Sequence, residues 1–160
     1  MPLTWSRPPF TISDDRERID LDLVHDVLTS SYWARGIERA LVERSIRHSM
    51  ALGLYEGTSQ IGFARVVSDR ATFAWLGDVF VLPESRGQGL GAWLVETALA
   101  HPELAGIRRW HLVTRDAQGL YRPLGFAEVA RPDMHLERLL ANVRPKDPPG
   151  QSAGPPQPES

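Results

Sequence analysis

Hydrophobic residues recur along the chain with two different periods, which divide it into helical and extended stretches. A spacing of three or four residues predicts helices over residues 20–30, 38–48 and 89–100. The first of these helices begins at Asp20, a residue type that is favoured as an N-cap. A shorter helix is expected over residues 117–121.

Stretches rich in β-branched and aromatic residues predict the strands. Residues 51–55, 60–67 and 72–82 are such stretches, and short polar turns separate them. Short connections imply antiparallel neighbours. Further strands are expected at residues 10–13, 110–114, 126–130 and 134–137. The predicted fold class is therefore α+β, with a mixed, mainly antiparallel sheet flanked by helices.

The end of the chain has little to bury. From Pro145 onward the residues are mostly Pro, Gly, Ser and Gln, and such a segment cannot offset the entropy lost on ordering. The full length of 160 residues suits one domain with a core of its own. We therefore predict a single domain over residues 1–143 and a disordered Pro-rich tail over residues 144–160.

Composition narrows the chemistry. A formal net charge of -2 gives no basic excess of the kind that nucleic-acid binding requires. The absence of cysteine excludes a thiolate nucleophile and thiolate metal ligands, and the histidines show no metal-ligand spacing. No apolar run approaches the roughly 20 residues of a membrane span, and no signal-peptide pattern is visible. A cytoplasmic protein without metal, membrane or nucleic-acid partner is expected.

The strand-to-helix turn at residues 79–91 is the most informative segment. It reads Val-Phe-Val-Leu-Pro-Glu-Ser-Arg-Gly-Gln-Gly-Leu-Gly. The first N–H groups of a helix are unpaired and lie at the positive end of its dipole, so they bind anions, and glycine lets a phosphate approach the backbone closely. Arg86 adds a charge-assisted contact. The turn therefore predicts a phosphorylated cofactor.

The same glycines also fit a dinucleotide-binding fingerprint. Gly87, Gly89 and Ala92 stand at the spacing G-x-G-x-x-A. The context argues against this interpretation, because residues 83–86 separate the strand from the first glycine and an antiparallel meander replaces the first βαβ unit. A plain turn, in which glycine serves packing alone, is the other alternative.

Two motifs together resemble those of the GCN5-related N-acetyltransferase (GNAT) superfamily. Arg86-x-x-Gly89-x-Gly91 resembles its acetyl-CoA signature, Q/R-x-x-G-x-G/A. Residues 117–126, Ala-Gln-Gly-Leu-Tyr-Arg-Pro-Leu-Gly-Phe, resemble its downstream pattern A-x-x-L-Y-x-x-x-G-F. The resemblance covers residues 72–129 and implies the acyl-CoA N-acyltransferase (GNAT) fold, with acetyl-CoA as co-substrate.

The resemblance also implies the cofactor contacts. Backbone N–H groups of residues 88–92 would hold the pyrophosphate, and the backbone of the preceding strand would pair with the pantetheine arm, with Val81 N–H as a candidate oxyanion donor. Many members carry Asn where this chain has Thr114, so Thr114 or Asp116 is expected to replace that contact. The implied set is Phe80, Val81, Arg86, Gly87, Gln88, Gly89, Leu90, Gly91, Ala92, Thr114 and Asp116.

Two residues are candidates for catalysis. Tyr121 resembles the family's general acid, since a phenol placed against the sulfur can protonate a departing thiolate; the alternative is a tyrosine that packs the short helix. Asp78 is a carboxylate in an apolar strand, which calls for a reason. It would take the amine proton, directly or through water, or bind a cationic substrate; the alternative is a structural aspartate. His111 is a less favoured base, flanked by apolar residues.

The acceptor site is implied to lie at the loop between the first two helices, which carries Tyr32, Trp33 and Arg35. Two aromatic residues beside an arginine suit a flat or amphipathic acceptor, or one with a carboxylate; the alternative is a satellite core. Trp75 and Phe73 are further candidates. The predicted function is acetyl transfer to a primary amine, preferably of a small molecule. A non-catalytic acyl-CoA sensor or scaffold and an interaction protein stay open, as does a homodimer.

Overall fold

One mixed sheet forms the centre of the computed structural model, which describes residues 1–140. The strands follow each other across the sheet in chain order; the first five are antiparallel, and the sixth is parallel to the fifth. The predicted tail, residues 144–160, lies outside the described residues. The strands are β1 (Thr4–Arg7), β2 (Phe10–Ser13), β3 (Met50–Glu56), β4 (Ser59–Ser68), β5 (Ala74–Val81) and β6 (Trp110–His111).

Four α-helices lie in the described part of the chain: α1 (Leu21–Ser30), α2 (Arg39–Arg47), α3 (Leu90–Leu99) and α4 (Gln118–Tyr121). All four fall where the sequence predicts them, the first three from the spacing of apolar residues. The Asp20 carboxylate accepts a hydrogen bond of 3.0 Å from Leu23 N–H and so caps α1, as predicted. None of these helices is long and apolar enough to cross a membrane.

The two faces of the sheet carry separate hydrophobic clusters because strand side chains alternate between faces. Leu52 and Leu76 belong to a cluster with Leu94 of α3. Phe63, on the opposite face, belongs to a cluster with Val24 of α1. Helices α1 and α2 therefore cover one face, called here the α1/α2 face, and α3 covers the other.

The strands predicted near the end of the domain were wrong. Residues 126–130 and 134–137 are not strands, and a 3₁₀ turn, Pro132–Met134, lies there instead. The alternating pattern does not lead to burial, since Met134 is 70% and Leu136 is 98% exposed. Strand β1, by contrast, is present but was not predicted. Its residues are mostly exposed and polar, so they show no alternation of apolar and polar positions.

A β-bulge interrupts β5 at Asp78. Arg65 of β4 faces Gly77, but Phe63 faces Phe80, so one residue of β4 stands opposite two residues of β5. Asp78 has a φ of +55°, in the left-handed region that non-glycine residues rarely adopt. The bulge re-aims the Asp78 side chain relative to the regular pleat.

The last two strands of the sheet separate soon after they meet. The pairs Ala74–Trp110 and Trp75–His111 are the register that joins β5 to β6. Beyond them, no described strand pairs with the β6 side of residues 77–81. A cleft therefore opens in the sheet, next to the bulge and in front of the glycine turn.

Candidate active site

The glycine turn presents an open helix N-terminus to this cleft. Gly87 and Gly89 have φ angles of +83° and +74°, and Gly89 is the N-cap of α3. A Cβ at either position would meet no atom within 4 Å, so backbone conformation, rather than crowding, requires glycine there. No side chain caps the helix. Its first N–H groups are therefore available to an anion.

Polar side chains fasten the turn to the end of β5. Arg86 Nε donates a hydrogen bond of 2.9 Å to the carbonyl of Val81, and Gln88 Nε2 donates one of 3.2 Å to the carbonyl of Ser85. Both side chains are exposed, whereas Ser85 is buried. The guanidinium of Arg86 is thus held beside the mouth of the cleft.

Backbone groups of β5 face the cleft at alternate residues. The N–H of Leu82 donates a hydrogen bond of 2.8 Å to the carbonyl of Ile61 on β4. In an antiparallel strand the N–H and C=O of one residue point to the same side, and the next residue points both to the other side. Because Leu82 faces β4, Phe80 also faces β4, and Val81 between them faces the cleft. Since the Val81 carbonyl accepts from Arg86, its N–H is the group turned to the opening. Of the two predicted β5 contacts, this geometry suits Val81, whereas Phe80 buries its ring in the α1/α2 cluster.

Helices α3 and α4 form the wall of the cleft beyond the turn. A Cβ on Gly91 would lie 3.8 Å from Leu120 and 3.9 Å from Val81, so this glycine sits between β5 and α4. The side chain of Leu90 is buried in the core, and Ala92 is partly buried. Leu90 and Ala92 therefore offer the cleft their backbone rather than their side chains.

Tyr121, at the end of α4, is buried with 8% of its surface exposed. Its ring packs edge-on against Phe126, with centroids 5.8 Å apart. Burial, with a smaller contribution from the neighbouring Tyr32, raises the pKa of Tyr121 to about 12. The phenol therefore stays protonated at neutral pH, as a proton donor must.

The loop between β6 and α4 is ordered by its own polar residues. The hydroxyl of buried Thr114 accepts a hydrogen bond of 3.0 Å from Ala117 N–H. Asp116 is exposed, and its carboxylate lies 3.4 Å from the guanidinium of Arg115. Thr114 thus shapes the loop, while Asp116 stands at its surface.

The α1–α2 loop is fastened at two points above the cleft. The hydroxyl of Tyr32 accepts a hydrogen bond of 3.0 Å from the backbone N–H of Arg115. The guanidinium of Arg115 lies 3.9 Å from the centre of the Tyr32 ring. The next residue, Trp33, meets Tyr32 edge-on at 5.1 Å and donates from Nε1 to Asp78, at 3.0 Å. Arg35 lies in the same loop and is partly buried. The loop therefore links the β5 bulge to the β6–α4 loop.

Asp78 is part of an ion pair that the sequence interpretation missed. Arg65 Nε donates a hydrogen bond of 2.8 Å to the second carboxylate oxygen of Asp78. The side chain of Arg65 is 19% exposed and that of Asp78 is 12% exposed. Arg65 also donates 3.0 Å to Ser49 Oγ, whose hydroxyl donates 2.5 Å to the carbonyl of Ser45. A charged residue inside an apolar strand was the available signal for Arg65, the same signal that pointed to Asp78.

These features match those of a known family. The family profile described as "Acetyltransferase (GNAT) domain" matches residues 48–128, from the start of the central strands to the segment after α4. The chain belongs to the GNAT acetyltransferase family.

Relatives agree with this membership. A GNAT-family protein from Xanthomonas campestris pv. campestris has a crystal structure with 44% identity and a TM-score of 0.82; the match covers 86% of this chain and 98% of that one. A Gibberella zeae protein named as an acetyltransferase is 28% identical over 143 residues, 75% of this chain and 80% of its own. A Clostridium acetobutylicum protein, described as a predicted acetyltransferase and crystallised with acetyl-CoA, is 16% identical. Its TM-score is 0.60 over 87% of this chain and 96% of that one, which shows the fold alone.

GNAT acetyltransferases use acetyl-CoA, and two features of this chain fit that molecule. The uncapped N-terminus of α3 suits a pyrophosphate, and the N–H of Val81 on the open edge of β5 suits an extended amide arm. A separate cavity of about 430 Å³ opens beside Tyr121 and Thr114, and no residue of the glycine turn lines it. Among residues 1–140, no group of three or more His, Asp or Glu side chains suits a metal ion.

Proposed function

We propose that this GNAT protein transfers the acetyl group of acetyl-CoA directly to a primary amine of a small molecule. The observation that supports this most is the cleft between β5 and β6, which has the open glycine turn at one end and Tyr121 beside it. The phosphate site suits the binding of acetyl-CoA, and the protonated phenol suits the departure of the thioester sulfur.

The cofactor is held mainly by backbone groups. N–H groups at the start of α3 bind the pyrophosphate, Arg86 adds charge, and Val81 N–H binds the arm or polarises the thioester oxygen. Thr114 and Asp116, in the β6–α4 loop, are proposed to add side-chain contacts. The proposed set is Val81, Arg86, Gly87, Gln88, Gly89, Leu90, Gly91, Ala92, Thr114 and Asp116.

The transfer is direct, because the chain has no cysteine to carry an acyl group. The amine nitrogen bonds to the thioester carbon, the carbon–sulfur bond breaks, and the nitrogen loses a proton. Tyr121 donates a hydrogen bond to the departing sulfur, and the proton that the nitrogen gives up, passed on through Asp78 and water, converts that sulfur to the thiol of CoA. The acetylated amine and free CoA are the products.

Asp78 is proposed to receive the proton of the amine. Its charge is already compensated by Arg65, and each of its oxygens accepts one hydrogen bond. A carboxylate has further lone pairs, so Asp78 orients the amine through one of them and passes the proton on to water. Arg65 and Trp33 hold the carboxylate in place for this role.

A small acceptor is favoured over a protein chain. The α1–α2 loop is tied to both sides of the cleft through Tyr32 and Trp33, which narrows the approach from that side. Tyr32, Trp33, Arg35 and Trp75 are the proposed acceptor contacts. A homodimer and a cytoplasmic location stay predictions.

A non-catalytic acyl-CoA sensor is the second candidate. The Asp78–Arg65 ion pair favours it, because the pair gives the carboxylate a structural partner and so explains its place in the strand without catalysis. Turnover distinguishes the two functions, since a sensor binds acetyl-CoA without releasing CoA when amines are added.

Calorimetry with acetyl-CoA, CoA and NAD tests the cofactor site. Acetyl-CoA and CoA should bind and NAD should not. Gly89→Glu should abolish binding, because it places bulk and negative charge at the phosphate site. Gly57→Glu is the matched control, since Gly57 also has a positive φ, +61°, and open space around it, but lies in the β3–β4 turn. Equal binding by both variants would remove the phosphate-site argument; binding of NAD alone would contradict the proposal.

A further inference from the structure

A row of side chains continues from the ion pair of Asp78 along the α1/α2 face. Val67 of β4 is the register partner of Trp75 of β5, which in turn is the partner of His111 of β6. Partners in register point to the same face of a sheet. The Phe73 ring joins the row, edge-on to the His111 ring at 5.3 Å. These four residues, Val67, Phe73, Trp75 and His111, are called the aromatic shelf.

The shelf begins next to the proposed reaction centre. Arg65 and Gly77 form the register pair two residues along from Val67 and Trp75, so they lie on the same face. Arg65 is the residue that holds Asp78. Gly77 leaves room between them: a Cβ there would lie 3.2 Å from Trp75 Nε1, so the indole lies against the bare backbone of the residue that precedes Asp78.

The shelf is accessible, unlike the rest of its face. Phe63 and Phe80 of the same face are buried under α1 and α2. Val67, by contrast, is 42% exposed, and the three rings of the shelf are partly exposed. A row of partly exposed rings beside the proposed catalytic cleft, over which no described helix lies, has the character of a ligand surface rather than of a core.

The charges around the shelf favour an uncharged ring. Burial lowers the pKa of His111, and His135 and Arg109 lower it further, which favours the neutral form of this imidazole. The rings of His135 and His111 are 5.3 Å apart. Asp78, at the other end, is paired with Arg65. A flat aromatic group gains from such neutral rings through stacking and burial.

We propose that the aromatic shelf binds the aromatic ring of the acceptor, which makes the acceptor an arylalkylamine. This inference rests on the proposed function. Trp75 precedes Asp78 by three residues, roughly 10 Å along a strand, and the tilt of its indole toward Gly77 shortens that span. The amine therefore lies at Asp78, a short carbon linker passes over Gly77, and the ring lies on the shelf.

Binding of a matched pair of amines tests the shelf without requiring turnover. The probes are 2-phenylethylamine and hexylamine, which share a primary ammonium group and a similar length. The five tryptophans give indole N–H signals in a ¹⁵N–¹H spectrum, and the signal lost in Trp75→Phe identifies Trp75. The phenyl compound should shift the Trp75 signal of the CoA-saturated protein at concentrations where hexylamine does not.

Variants separate the shelf from the rest of the molecule. Trp75→Ala should weaken binding of 2-phenylethylamine roughly tenfold. Leu41→Ala, on the outer side of α2, should leave it unchanged. Phe73→Ala, outside the bounds of β5, repeats the test if Trp75→Ala does not fold. Equal shifts by both amines, or unchanged affinity in the shelf variants, would overturn the proposal.

Turnover with the same two amines keeps this inference apart from the proposed function. If both amines are acetylated with equal efficiency, the transferase assignment stands and the shelf proposal is wrong. If 2-phenylethylamine binds selectively at Trp75 but no amine is acetylated, the shelf proposal stands and the transferase assignment is wrong.

Discussion

Replacing Tyr121 with phenylalanine removes the proposed acid and changes little else. The ring is buried and packs edge-on against Phe126, and phenylalanine keeps both properties. Tyr121 lies at the end of α4, whereas the proposed phosphate site lies at the start of α3. We therefore expect Tyr121→Phe to lower kcat while leaving acetyl-CoA affinity and the unfolding temperature nearly unchanged.

The raised pKa of Tyr121 sets the size of this effect. Its value of about 12 stands against about 8.5 for an ordinary thiol, and the gap of about 3.5 units opposes complete proton transfer by about 4.8 kcal/mol. Tyr121 is then chiefly a hydrogen-bond donor to the charged sulfur, and such a bond is worth about 1.5–3 kcal/mol. The expected loss in kcat is about 13- to 160-fold, below the upper range for full general acid catalysis.

Release of CoA thiol, followed with a thiol reagent, measures kcat and the KM for acetyl-CoA. Tyr55→Phe is the matched control, because Tyr55 is also a buried tyrosine with a pKa of about 12, but it contacts Arg18 and Gly53 away from the cleft. It should keep full activity. A loss below about threefold in Tyr121→Phe, or an equal weakening of acetyl-CoA binding, would refute the acid role.

Two further predictions concern stability. A Cβ at Gly53 would lie 2.2 Å from the hydroxyl of Tyr55, which is 2% exposed. Gly53→Ala should therefore lower the free energy of unfolding, measured in urea, by about 1–3 kcal/mol. Gly119→Ala is the control, because no atom lies within 4 Å of the added carbon, and equal denaturation midpoints for the two variants would contradict the packing at Gly53. Burial raises the pKa of Tyr55 and Tyr121 from 10.0 to about 12, so the folded state binds more protons in that interval. The contribution of these two buried phenols to the free energy of unfolding is complete below pH 10 and should be lost as pH rises through 12. Tyr55→Phe should flatten this fall, and an unchanged slope would speak against the burial of the phenol.

Features that depend on neighbouring residues were predictable from the sequence. Asp20 caps α1 through a bond to a residue three positions away, and Gly89 takes a left-handed conformation that glycine adopts without strain. The strands at residues 126–130 and 134–137 depend instead on a partner edge elsewhere in the chain. The alternating pattern there carries no information about whether such an edge is within reach.

The ion pair of the site shows the same limit at the level of a single residue. Sequence pointed to Asp78 as a charge in an apolar strand, but its partner depends on the register between β4 and β5. The register at Phe63 and Phe80, continued without a bulge, would place Arg65 opposite Asp78. The bulge instead sets Arg65 opposite Gly77, and the positive φ of Asp78 re-aims its carboxylate so that the pair still forms. No local pattern encodes that combination.

The α1–α2 loop joins the two chemical ends of the cleft, which restricts how the acceptor enters. Trp33 donates to Asp78, while Tyr32 is held by Arg115 and raises the pKa of Tyr121. A movement of this loop that admitted a large acceptor would therefore disturb both the proposed proton acceptor, Asp78, and the proposed acid, Tyr121. The shelf around Trp75 imposes no such cost, because no described helix covers it. The acceptor is thus expected to reach Asp78 along the shelf, with the loop closed.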